Sequence, residues 1–125
     1  MRFCTALNCI DGRAQLPVIL YLQNRFHADY VDMITEPGIN RLLGQNADPE
    51  LVELLLKKLE ISLLNHTPVA IAVAGHYDCA GNPASEEQQQ EDIRQAVSFL
   101  RECYAHLEVI GLWLDDRFTV HELRA

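Results

Sequence analysis

Val69-Ala70-Ile71-Ala72-Val73-Ala74-Gly75-His76-Tyr77-Asp78-Cys79 is the stretch on which the fold turns. From Val69 to Ala74 the run is small, β-branched and uninterrupted, without the polar alternation of a strand that has one wet face. It predicts a central parallel strand covered by helices on both sides. The run passes directly into Gly75, His76, Asp78 and Cys79, which places metal-capable side chains at its carboxyl end, where open α/β sheets bind ligands.

Upstream of this strand, Asp48-Pro49-Glu50 sets an N-cap acid before a proline at the first helical position, and Leu51, Leu54, Leu55, Leu59 and Leu63 carry an apolar stripe towards Asn65. Tyr30 to Ile34 reads as a strand closed by Glu36-Pro37-Gly38, with one or two helical turns over Ile39 to Leu43. Leu16, Ile19, Leu20, Leu22 and Phe26 recur at near-helical spacing, Pro17 being tolerated in the first turn. Before them, Phe3 to Ile10 is a β-compatible run stopped by Asp11-Gly12-Arg13.

Downstream, Ser85-Glu86-Glu87-Gln88 has the form of a capping box, followed by Ile93, Val97, Leu100 and Tyr104 on one helical face. Val109 to Leu114, a turn at Asp115-Asp116-Arg117, and Phe118 to Leu123 suggest a terminal β-hairpin. Strands alternating with helices in this order predict one α/β domain over residues 1–125, a central, mostly parallel sheet flanked by helices and closed by a C-terminal hairpin.

With 125 residues, 49% of them hydrophobic and 22% charged, the chain can bury a single core. Its formal charge of -8, from 10 basic and 18 acidic residues, opposes phosphate backbones and anionic lipid, so neither nucleic acid nor membrane is an expected partner. No apolar run approaches the roughly 20 residues of a bilayer span, and Met1-Arg2-Phe3-Cys4 lacks a signal-peptide pattern. Cytoplasmic residence is the expectation, and there the four cysteines serve as thiols or metal ligands more readily than as disulfides. No GxGxxG or GxxxxGK[ST] run is present, which removes nucleotide-dependent chemistry.

Two strand ends carry the residues of interest: Cys9 with Asp11 and Arg13 after the first, His76 with Cys79 after the central one. Two thiolates and one imidazole suit zinc, a borderline-soft ion, and leave its fourth tetrahedral position for water, although iron or cobalt could take the same ligands. Taken alone, Cys9 would pass for a core thiol, and Asp11 with Arg13 for a surface ion pair. The joint occurrence at two strand ends favours a metal site, with the arginine keeping the carboxylate ionised beside it.

Cys9-Ile10-Asp11-Gly12-Arg13 resembles the Cys-x-Asp-x-Arg motif of β-class carbonic anhydrases, and His76-Tyr77-Asp78-Cys79 resembles their His-x-x-Cys. The resemblance implies the β-carbonic-anhydrase fold, Zn2+ on Cys9, His76 and Cys79, and reversible hydration of carbon dioxide to bicarbonate by a zinc-bound hydroxide. It also implies a homodimer or higher homo-oligomer. By the same resemblance Asp11 accepts a hydrogen bond from the hydroxide, or becomes a fourth ligand once Arg13 releases it, so that Arg13 orients and gates.

The pattern departs from the family at several points. Gly12 stands where serine is frequent, Ala80 follows Cys79 where glycine is usual, and Thr35-Glu36-Pro37-Gly38-Ile39-Asn40 stands in place of Asn-Ala-Gly. Gly12, Glu36 and Gly38 are therefore the candidate substrate-side positions. Glu36 could bring a second carboxylate to the sheet edge or cap the short helix, capping being preferred. The chain starts at its first strand, without the family's N-terminal helical arm, so pocket walls and dimer geometry are expected to differ. The alternatives are a zinc hydrolase for another small electrophile, such as carbonyl sulfide or carbon disulfide, and a non-catalytic zinc-binding module.

Cys4, five positions before Cys9, and Cys103, near the last helix's apolar stripe, are expected to be core thiols. His27, His66, His106 and His121 fall at element ends or in the hairpin, without a metal-like partner.

Overall fold

The run around Val73 is the middle strand of a five-stranded sheet in the computed structural model, which describes residues 1–124. In chain order the elements are β1 (Phe3–Asn8), α1 (Gln15–Phe26), β2 (Tyr30–Thr35), α2 (Ile39–Gln45), α3 (Pro49–His66), β3 (Ile71–His76), α4 (Glu86–Cys103), β4 (Val109–Leu114) and β5 (Val120–Leu123), with a single 3-10 turn at Gly12–Ala14. The sheet order is β2-β1-β3-β4-β5. The first four strands pair in parallel, and β5 returns antiparallel to β4, with Trp113 opposite His121. This is the expected α/β architecture with its terminal hairpin.

Local chemistry sets the boundaries. Asp48 accepts from the Leu51 amide at 3.2 Å, and Ser85 from the Gln88 amide at 3.1 Å, each capping its helix as its sequence signals. Only half of the expected capping box forms, because the Gln88 side chain turns instead to Asp92 at 2.9 Å. β1 stops at Asn8, two residues early, because the Asn8 amide binds the Ala14 carbonyl at 3.0 Å and its side-chain oxygen accepts from the Cys9 amide at 2.9 Å. The chain turns there and leaves Ile10 exposed. β3 runs on to His76, so the histidine belongs to the strand itself.

The two faces of the sheet bury different cores. On one, Ile39, Leu43, Val52, Leu55, Leu59, Ile93, Val97 and Leu100 of α2, α3 and α4 pack over Leu7, Ile71, Val73, Val109 and Trp113. On the other, Val18 and Leu22 of α1 lie on Cys4, Ala6, Ala72 and Ala74. The inner edge of α3 is Val52, Leu55, Leu59 and Ser62, not the stripe expected through Leu54, which is 54% exposed. Likewise Leu16 and Leu20 face outward while Ala14, Val18 and Leu22, four residues apart, face the sheet. Both segments are apolar on two sides, so periodicity alone leaves the phase open. Cys4 is a core thiol as expected, but Cys103 is exposed, because α4 ends there and the half-buried Tyr104 packs against the core in its place.

Candidate metal centre

β1 leads to β2 on one side of the sheet, while its other neighbour β3 leads away to β4. Between β1 and β3 the chain order reverses, and their carboxyl ends open a crevice of the kind where α/β sheets bind ligands. Cys9 follows β1, His76 ends β3, and Cys79 lies three residues further on. Each offers one ligand atom within 4.8 Å of the other two, and all three residues are buried. The two Sγ atoms stand 3.8 Å apart. Among the described residues no other three His, Cys, Asp or Glu side chains form such a group.

The imidazole is held in one orientation. His76 Nδ1 lies 2.7 Å from the Tyr77 carbonyl, which can only accept, so Nδ1 carries a proton and, in the neutral ring, the lone pair is on Nε2. Nε2 is also the one buried side-chain nitrogen or oxygen without a hydrogen-bond partner among the described residues. An orphaned buried polar atom costs about 1–3 kcal/mol, and a cation between the two sulfurs would satisfy it.

The two sulfurs share a hydrogen bond. Hydrogen bonding from Cys79 holds the Cys9 thiol well below the usual thiol range, helped by His76 and by the backbone N–H groups of Gly38 and Asp11, against the opposing effect of burial. Cys79, the proton donor of that pair, is pushed up by the same contact and by burial. A metal bound here would have to replace the shared proton, since it needs both sulfurs as thiolates.

Asp11 and Arg13 flank the cluster. Arg13 grips Asp11 with two side-chain bonds, Nε to Oδ1 at 3.0 Å and Nη2 to Oδ2 at 2.7 Å, while its backbone N–H donates to Oδ1 at 2.9 Å. The guanidinium also meets the Asp78 carbonyl at 3.3 Å and lies 4.7 Å above the Phe118 ring. Its grip holds the Asp11 carboxyl down to about 2. Asp11 Oδ2 stands 4.0 Å from His76 Nε2, so the carboxylate faces the cluster while bound to the arginine.

A cleft of about 910 Å³ opens over these groups, walled by Asp11, Arg13, Cys79, Tyr77, Gln89 and Trp113 among others. Gly12, Glu36 and Gly38 are not part of that wall. Gly12 is exposed on the 3-10 turn. Gly38 is buried with φ 60°, and a Cβ there would come within 2.4 Å of the Gly81 carbonyl oxygen, so the loops after β2 and β3 touch backbone to backbone. Its contribution is the N–H directed at Cys9. Glu36 does not cap α2: the N-cap is Gly38, which has no side-chain cap, because the left-handed turn puts the glycine where the helix begins. The Glu36 backbone N–H instead extends the β1–β2 pairing, donating to the Asn8 carbonyl at 3.1 Å.

Sequence reasoning missed Gln89 and Trp113 in the wall. They come from α4 and β4, and only the parallel pairing of β4 with β3 and the packing of α4 carry them to the crevice.

A family model described as "Putative carbonic anhydrase" matches residues 1–124. Among solved structures, a β-carbonic anhydrase of the filamentous ascomycete Sordaria macrospora, described as tetrameric, is 16% identical with a TM-score of 0.59, over 98% of this chain and 80% of that one. A carbonic anhydrase from Glaciozyma antarctica is 15% identical with a TM-score of 0.58, over 90% and 75%. The β-carbonic anhydrase of Aspergillus fumigatus is 17% identical with a TM-score of 0.52, over 96% and 74%. Comparison with curated proteins finds no match. The structural likeness establishes a β-carbonic-anhydrase fold, and the family match over nearly every residue establishes that the chain belongs to this carbonic anhydrase family.

Proposed function

We propose that the protein is a zinc enzyme that interconverts carbon dioxide and bicarbonate, with Cys9, His76 and Cys79 as metal ligands and Asp11 and Arg13 as the catalytic pair. The observation that carries this reading is the buried, unpartnered Nε2 of His76 grouped with two thiols at the switch point of the sheet. Two sulfurs and one nitrogen are the donor set of a zinc site with an open position. Zinc held there supplies Lewis acidity that brings the pKa of a bound water to about 7, giving a nucleophile near neutral pH.

The chain's own groups do the rest. The Tyr77 carbonyl fixes the imidazole tautomer, and the backbone N–H groups of Gly38 and Asp11 steady the Cys9 sulfur. Asp11, ionised by Arg13, accepts a hydrogen bond from the nucleophile's O–H and so aims its lone pair at the substrate carbon. Arg13 keeps that carboxylate oriented, braced by the Asp78 carbonyl and the Phe118 ring. The cleft admits a small-molecule substrate.

The assembly we propose is a homo-oligomer, a dimer or larger. Its support is the tetrameric description of the Sordaria macrospora relative and the exposed Leu16 and Leu20 one turn apart on α1. Cytoplasmic residence is part of the same proposal, supported by four cysteines that are all free. No helix of the described residues is long and apolar enough to cross a membrane.

Stopped-flow carbon dioxide hydration on protein of measured zinc content, beside chelator-stripped and Asp11→Ala samples, tests the proposal. Activity that tracks zinc and falls with Asp11 is the expected result. Full zinc with a background rate would overturn it. Sulfide release from carbonyl sulfide or carbon disulfide would then mark a hydrolase, and its absence a non-catalytic zinc module.

A further inference from the structure

Asp92 is a charged residue with no place in the reaction above. It is 1% exposed, and among the described residues no cation pairs with it. Burying a carboxylate this way is costly unless donors replace its water. Three amides do so: Gln45 of α2 and Gln88 of α4 donate to Oδ1, each at 2.9 Å, and Asn82 donates to Oδ2 at 3.0 Å.

Asn82 closes the loop that carries Cys79. Its backbone N–H donates to the Cys79 carbonyl at 3.2 Å, and the backbone N–H groups of Asn82 and Gly81 are directed at the Cys79 sulfur. One turn before Asp92 on α4, the fully buried Gln89 donates to the His76 carbonyl at 2.8 Å and to the Asn82 carbonyl at 3.2 Å. Asn40 of α2 supports both, donating to the Gln89 side-chain oxygen at 3.2 Å and accepting from Asn82 at 3.4 Å. The backbone at both ends of the ligand loop is thus tied to α4, at His76 through Gln89 and at Asn82 through Gln89 and Asp92.

We infer that Asp92 and Asn82 are positioning residues for the metal centre: their contact anchors the Cys79 loop to α4 and fixes the Cys79 sulfur relative to His76. The inference rests on the zinc reading of the site. Outer partners of this kind typically contribute about 10–100-fold to metal affinity.

Asp92→Asn tests the contact at constant shape. An amide has one acceptor oxygen, which can stay with Gln45 and Gln88, and its NH2 then meets the NH2 of Asn82. The link to the loop is cut while the link to α2 persists. Asn82→Ala removes the same contact from the other side and decides the matter if Asp92→Asn does not fold. Gln45→Ala is the comparison, loosening the same carboxylate away from the loop.

The readout is Co2+ titration of metal-free protein, following thiolate charge-transfer absorption, with circular dichroism and thermal melts alongside. The expected result is Co2+ affinity reduced about 10–100-fold in Asp92→Asn and Asn82→Ala, with altered bands, and unchanged in Gln45→Ala. Unchanged affinity and bands in folded Asp92→Asn or Asn82→Ala would overturn the positioning role, as would an equal loss in Gln45→Ala. Absence of thiolate bands in the unsubstituted protein would overturn the metal reading itself, and the positioning role with it.

Discussion

Two of the clusters that combine an aspartate with a histidine against the sheet differ in whether anything is left over. At the amino end of β1, Thr5 and Ser62 hydroxyls meet at 2.6 Å, the Ser62 hydroxyl donates to Asp32 at 2.7 Å, and His66 Nδ1 reaches the same carboxylate oxygen at 2.5 Å while its ring stacks on Phe3. Each of these atoms has a partner. The serine donates to the carboxylate and not to the imidazole, so no nucleophile is activated despite the hydrolase-like composition. At the carboxyl ends of β1 and β3 the histidine keeps a buried, unpartnered nitrogen facing two sulfurs. Similar residue types give a strut where every atom is satisfied, and a candidate site where one is not.

The largest effect that sharpens this contrast is Cys9→Ser, which is expected to abolish stoichiometric zinc, measured by elemental analysis after dialysis, while Ser62→Ala retains it. Next, Asp11→Ala should lower carbon dioxide hydration roughly 100-fold or more in stopped-flow assays, whereas His66→Ala leaves the rate unchanged. On the strut side, Ser62→Ala leaves the buried Thr5 hydroxyl short of a partner, and urea unfolding should show a loss of about 1–3 kcal/mol. Equal effects of the site and strut substitutions on metal would erase the distinction.

The smallest effect belongs to the hairpin. Asp115 lies below its ordinary value, chiefly through its bond with His121 at 2.7 Å, helped by the Arg117 and Thr119 amides. A carboxylate depressed by folding stabilises above its unfolded pKa of about 4, and that contribution is lost as pH falls through the lower folded value. An acid titration of the Thr119 amide resonance should show that midpoint, with the zinc content of the protein unaffected above pH 5.

Much of the fold was legible because its signals are local. Asp48-Pro49, Ser85 and the unbroken run into His76 each state an element boundary within a few residues. The three metal-capable residues were legible because two short motifs end adjacent strands. What stayed hidden depends on distant chain. The outward Leu54 and inward Val52 cannot be told apart along a helix that is apolar on two sides. Trp113 and Gln89 reach the cleft only through sheet pairing and helix packing. Glu36 looked like a cap because its chemistry suits one, but the turn gives that position to Gly38.

The meeting of Gly38 and Gly81 has a consequence for how such a protein can change. Cys9 and Cys79 are 70 residues apart in sequence with their sulfurs 3.8 Å apart, and the Cys79 loop is pressed, at the thickness of bare backbone, against Gly38, whose N–H is directed at Cys9. A methyl group on either glycine would act as a wedge between the Cys79 loop and the backbone whose N–H meets the Cys9 sulfur. The residues that shape the cleft, Tyr77, Ala80, Pro83 and Trp113, lie outside that seam. The wall can therefore be rewritten for a different small substrate while the ruler that spaces the ligands stays fixed.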